Sequence, residues 1–163
     1  MAVVNTKATA LTNADAKPAV FTGSYIAGGR LRQMVGTVSV LAADSDGSAY
    51  RVARVWSGWR ISSIRLFNTA ITDGTAYDVG LYDVDDGAAA DDDVYATGVN
   101  LTSASTAGTE VAFEQRGIQL AANRVFEDLG ETADPHKWYD LVLTGDTVGT
   151  VDGTITVMVT YVD

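Results

Sequence analysis

Six aspartates, Asp83, Asp85, Asp86, Asp91, Asp92 and Asp93, surround Gly87 and a run of three alanines. Clustered carboxylate oxygens are what a calcium ion coordinates. The spacing is not that of a helix–loop–helix calcium loop, and no Glu closes the run. The segment reads as a solvated acidic loop and only a weak calcium candidate, so no metal and no other cofactor is expected. His136 is the only histidine. Any Ser-His-Asp triad would need it, and the Gly-x-Ser-x-Gly elbow that presents such a serine is absent. Beside Pro135 and Lys137, His136 reads as a surface or rim residue. There is no cysteine to serve as nucleophile, thiolate ligand or disulfide. Phosphate-cradling Gly-rich motifs are absent. Twenty-one acids always offer some carboxylate pair, but nothing singles out two of them for glycoside hydrolysis. No catalytic residues emerge, and the expectation is a protein that is not an enzyme.

Two other groups can bind rather than react. Trp56-Ser57-Gly58-Trp59-Arg60 places two indoles three residues apart at a turn. They can plug the end of a fold, anchor a protein interface, or stack on a sugar. Arg30, Arg32, Arg51, Arg54, Arg60 and Arg65 lie within thirty-six residues. Two readings stay open for them: pairing with acids on an adjacent strand, or contact with an acidic partner surface.

The elements that must position these groups are strands. From Gln33 the polarity alternates with period two. Val38 and Val40 lead through Asp44–Ser48 to a run in which Tyr50, Val52, Arg54 and Trp56 share one face. Ile61–Phe67 leads through Thr72–Thr75 to Tyr77, Val79 and Leu81. Trp138–Leu143 precedes Thr154–Val162, where Ile155, Val157, Val159 and Tyr161 share a face. With four Asp-Gly dipeptides between or beside these runs, the pattern predicts three hairpins. Strands of this number pack as an antiparallel β-sandwich. Leu120–Leu129 ahead of Gly130 breaks the alternation and predicts one short helix across the end of the sandwich.

Residues 1–30 differ from the rest. Small and polar residues, Pro18 and Gly28-Gly29 predict an extended N-terminal arm, and residues 31–163 a single sandwich domain. Val20, Phe21, Tyr25 and Ile26 give the arm apolar anchors that a floppy tail rarely has.

Hydrophobic residues make up 47 % of the chain and charged residues 20 %, a globular balance. The net charge of −10 is uneven. Residues 1–65 carry eight Lys and Arg against three acids, and residues 66–163 carry three against eighteen. Either folding mixes the halves, or the module is bipolar and docks one pole on a partner. Acidity of this size disfavours nucleic acid as a partner. No apolar run is long enough for a membrane helix, and the first residues lack the apolar core of a signal peptide, so the expectation is a soluble chain made in a cytoplasm.

Several segments carry a family resemblance. They are Met1–Ala10, Gly28-Gly29-Arg30-Leu31-Arg32 leading into Val35-Gly36-Thr37-Val38, Tyr77–Asp83, and Ala133–Leu141. They resemble small head proteins of tailed bacteriophages, some of which are similar to jelly-roll cement proteins that clamp neighbouring capsomers from outside the shell. The resemblance spans most of the chain through strand and turn patterns and no catalytic signature. It implies a jelly-roll-like fold, a structural role as a cement or decoration protein, and a place on the capsid surface of a virion after synthesis in the host cytoplasm. It also implies two partners, the major capsid protein and the chain itself as a homodimer or homotrimer. The expected contact residues are Val20, Phe21, Tyr25, Ile26, Arg30, Arg32, Arg54, Trp56, Trp59 and Arg60. The rival expectation is a carbohydrate- or receptor-binding sandwich of a phage tail or fibre, built on Trp56, Trp59 and Trp138.

Overall fold

The computed structural model describes residues 6–23 and 29–163. The chain divides into two compact units, Met1–Arg30 and Leu31–Asp163. The larger unit holds β1 (Leu31–Val40), β2 (Ser48–Trp56), β3 (Arg60–Asn68), β4 (Ala76–Asp83), β5 (Ala89–Val99), β6 (Ser105–Glu110), β7 (Trp138–Thr147) and β8 (Gly153–Val162). One sheet has the order β1-β8-β3-β6 and the other β2-β7-β4-β5, with every pairing antiparallel. This is an all-β sandwich with the strand order of a jelly roll.

Alternation builds the core. Ile155, Val157 and Val159 of β8 are buried, while Thr154, Thr156, Met158 and Thr160 between them stay partly exposed. Ile61, Ile64 and Leu66 of β3 meet Tyr139, Leu141 and Leu143 of β7 and Tyr77, Val79 and Leu81 of β4 in one cluster. Each fully buried aliphatic side chain is worth about 1.5–3 kcal/mol. Asn68, buried at the end of β3, donates from Nδ2 to the carbonyls of Leu101 and Ser103, each at 3.0 Å, and so ties two corners together.

The three predicted hairpins do not form. β1 and β2 lie in different sheets, as do β3 and β4, and β7 and β8. Among the described residues, β4 and β5 are the one pair of successive strands that are hydrogen-bonded neighbours. The connections are residues 41–47, 69–75 and 148–152, longer than the two-residue turns that force a strand back alongside its predecessor. A longer corner carries the chain across to the facing sheet without altering its alternation. Asp-Gly chemistry serves such a corner as well as a hairpin: Gly47, between the sheets, takes φ of 85°, and Gly87, in the β4–β5 turn, 76°.

Three further expectations are corrected. A bulge between Arg51 and Ala53 resets the phase of β2, so Val55 turns inward and Arg54 stays exposed beside Arg51. The predicted helix is shorter than expected: a 3-10 turn at Ile118–Leu120, then α2 (Val125–Asp128), with Leu120 exposed and Val125 and Phe126 buried. The N-terminal arm is not uniformly extended, because α1 (Thr9–Asp15) forms within it.

Candidate functional site

The arginines of the first strands are largely engaged within the fold. Arg51 Nη1 and Arg54 Nε each donate to Asp140 at 2.8 Å, one to each carboxylate oxygen. Burial alone would raise the Asp140 pKa, but hydrogen bonds from Arg54 and Arg51 outweigh it and hold the carboxyl below its usual range. Arg32 pairs with Asp163 at 2.6 Å, and Arg60 Nε donates to the Ala122 carbonyl at 2.9 Å. Arg65 donates to the Ala107 carbonyl. Arg30 is exposed.

The tryptophans meet at one end of the sandwich. Trp56 and Trp138 are cross-strand partners with ring centroids 5.0 Å apart, edge to face. Trp59 packs edge to face on Trp138 at 5.4 Å and stacks on Tyr161 at 4.1 Å. Backbone bonds from Val125 to Trp59 and from Phe126 to Ser57 seat α2 against the same turn. The cluster is a lid on the core, with Trp138 its most exposed ring, at 42 %.

A serine, an aspartate and the histidine also meet here, in the wrong order for catalysis. Ser57 Oγ donates to Asp134 Oδ1, and His136 Nδ1 lies 3.5 Å from Asp134 Oδ2. Nucleophile activation requires the imidazole between hydroxyl and carboxylate. Ser57 is instead buried and accepts from the Lys137 amide, so the trio fixes the chain around Pro135.

The acidic run separates into two groups. Asp83 pairs with Lys137 at 2.5 Å, and that hydrogen bond holds its carboxyl below the usual range. Asp83 and Asp86 also accept backbone bonds from Asp85 and Ala88, as turn residues do. Asp91, Asp92 and Asp93 lie on β5, with carboxylate oxygens within 4.8 Å of one another. Hydrogen bonding to Asp91 raises the Asp93 pKa.

A buried ion pair escapes the sequence reading. The Arg116 side chain is 4 % exposed and that of Asp128 0 %, and they meet at 2.5 Å. Arg116 also donates from Nε to the Ala112 carbonyl at 2.9 Å and from Nη2 to that of Ile61 at 2.6 Å, and its guanidinium lies over the rings of Phe113 and Tyr95. Burial outweighs the guanidinium and raises the Asp128 pKa from 3.8 to about 6. A raised carboxyl contributes stability that is full below about 3.8 and is lost as pH climbs through about 6. A carbon-13 NMR titration should find Asp128 as a carboxyl titrating near 6; an ordinary acidic titration would contradict this burial. The pair is sealed inside the fold, so it ties Ile61 and Ala112 to α2 and cannot meet a substrate.

The N-terminal unit presents apolar surface. No residue of α1 is buried. Val20 N donates to the Asn13 carbonyl at 3.0 Å, turning the chain back beside the helix. Ala10, Ala14, Ala19, Val20 and Phe21 line a shallow apolar cleft. Phe21 is fully exposed, and Leu11 and Val20 are more than half exposed. Tyr25 and Ile26 lie outside the described residues. No helix among the described residues is long and apolar enough to cross a membrane.

No family model matches the chain, and no curated protein matches it. Solved structures do. The fold is similar to a chain in the capsid of Ralstonia phage GP4, with a TM-score of 0.60 and 11 % identity over 83 % of this chain and 85 % of that one. It is also similar to a chain in the capsid asymmetric unit of cyanophage Pam1, with a TM-score of 0.49 and 14 % identity over 82 % and 85 %. At these identities the likeness is one of fold.

Proposed function

We propose that the protein is a structural component of a phage virion, a cement or decoration module that binds the outer surface of the capsid and clamps neighbouring major capsid protein subunits. The observation that carries this reading is the N-terminal unit, whose Leu11, Val20 and Phe21 stand exposed around a helix with no buried residue. A seven-residue helix is marginal alone, and packing an apolar face on a partner supplies what it lacks. The fold likeness to a chain of the GP4 capsid supports the same reading. Many copies acting across subunit joints would turn weak contacts into strong attachment. The arginines shift in emphasis: Arg32, Arg54 and Arg60 have intramolecular partners, which leaves Val20 and Phe21 as the foremost contact residues. The tail or fibre alternative has less support, because the tryptophan rings cover one another and Tyr161 covers a face of Trp59.

Co-sedimentation with purified heads lacking this protein tests the proposal. The full chain is expected to bind saturably, and deletion of residues 1–30 to weaken binding at least ~10-fold, or about 1.4 kcal/mol. Unchanged attachment of the deletion variant would remove the arm from the account. Failure of the full chain to bind any head would overturn the proposal.

A further inference from the structure

A sandwich has four edge strands, and three of them here are blunted. β5 carries Asp91, Asp92 and Asp93, and its register against β4 shifts three times. β2 is bulged between Arg51 and Ala53 and flanked by Arg51 and Arg54. β6 is only six residues long, and the Arg65 guanidinium occupies its Ala107 carbonyl. Charges, bulges and shortness are the devices that stop an edge from recruiting another strand.

β1 has none of them. Its ten residues, Leu31–Val40, run in unbroken register against β8 from Val162 to Gly153, and no described strand pairs with its other side. It contains no proline and no acid. Its one cation, Arg32, is neutralised by Asp163 at 2.6 Å. β8 carries no charge, so the border of this sheet is neutral in a chain of net charge −10. Two chains of this net charge repel overall and approach at least cost where neither bears an unpaired acid.

We infer that β1 is the edge through which two copies of this chain pair, antiparallel about a two-fold axis at Val35. Set antiparallel on itself about Val35, the strand keeps Leu31–Ser39, all but its last residue, in the ladder. Side chains facing the same way must oppose each other. With Val35 on the axis, Val35 meets Val35 of the second copy, Gln33 meets Thr37, and Leu31 meets Ser39. No like charges are opposed, and Val35, 59 % exposed in the single chain, becomes covered. The two β1-β8-β3-β6 sheets then join into one continuous sheet. The contact is isologous and closes at two, which excludes a trimer through this edge. The inference goes beyond the shell-binding reading and is tested without a shell.

Light scattering on the full chain at micromolar concentration should give twice the 17.1 kDa monomer mass. Val35→Asp, at an exposed position where the single chain tolerates it, should return the mass to 17.1 kDa with an unchanged circular dichroism spectrum. The chain has no cysteine, so Val35→Cys supplies the sole thiol. It should form a disulfide-linked dimer on mild oxidation, whereas Ser39→Cys, far from the axis, should not. A monomeric or trimeric wild type, a Val35→Asp dimer, or equal cross-linking at both positions would overturn the inference.

Discussion

Replacing Arg116 with methionine should lower stability by about 3–5 kcal/mol at neutral pH, the cost of leaving one partner of a buried ion pair alone. For a chain of this size that is roughly a 10 °C fall in Tm. The loss has three parts. Asp128 is left charged with no exposure to water, and the carbonyls of Ile61 and Ala112 lose their donors. The rings of Tyr95 and Phe113 lose the cation above them. The effect should depend on pH. Arg116 holds the Asp128 pKa down against burial, so in the variant that carboxyl titrates above its native value of about 6. At pH 5 Asp128 is then neutral and the penalty shrinks; at pH 8 it is full. Paired replacement, Arg116→Met with Asp128→Leu, should recover most of the loss. Denaturant melts of the three proteins at both pH values check this, and an identical loss at pH 5 and pH 8 would contradict the buried charge as its cause.

The second large effect is expected at Gly36. A Cβ built there lies 1.7 Å from the Val52 carbonyl oxygen, which belongs to backbone and cannot rotate away. β1 and β2 are in facing sheets, and Val52 lies in the bulge of β2, so the two sheets meet backbone to backbone here. Gly36→Ala must therefore push β1 off β2. A destabilisation of about 3 kcal/mol, the upper end of ordinary overpacking, is expected. Thermal unfolding measures it; a variant as stable as the wild type would mean that the strands are not in contact at Gly36.

These two positions mark where the sequence is silent. Strands β1, β2, β3, β4, β7 and β8 are legible because alternation and Asp-Gly turns are local signals. Their pairing is not, since a corner that crosses between sheets leaves the same alternation as a hairpin. β5 is hidden because Asp91-Asp92-Asp93 reads as a loop, although β4 supplies backbone partners that override the propensity. The bulge in β2 adds one residue and so parts Arg54 from the face it is expected to share with Tyr50 and Val52. Arg116 and Asp128, twelve residues apart across Ile118–Leu120, resemble any other surface charges until the fold buries them. The expected contact residues divide by the same logic. An exposed phenylalanine in a polar arm is visible from composition, as with Phe21. The Arg54 bonds to Asp140 depend on the register of β2 against β7.

Imaging of the phage particle tests the central claim most directly. A reconstruction of the mature head should show this sandwich on the outer surface of the shell, with its N-terminal residues lying across a joint between major capsid protein subunits. Density for the chain on a tail or fibre, or its absence from the particle, would contradict that account.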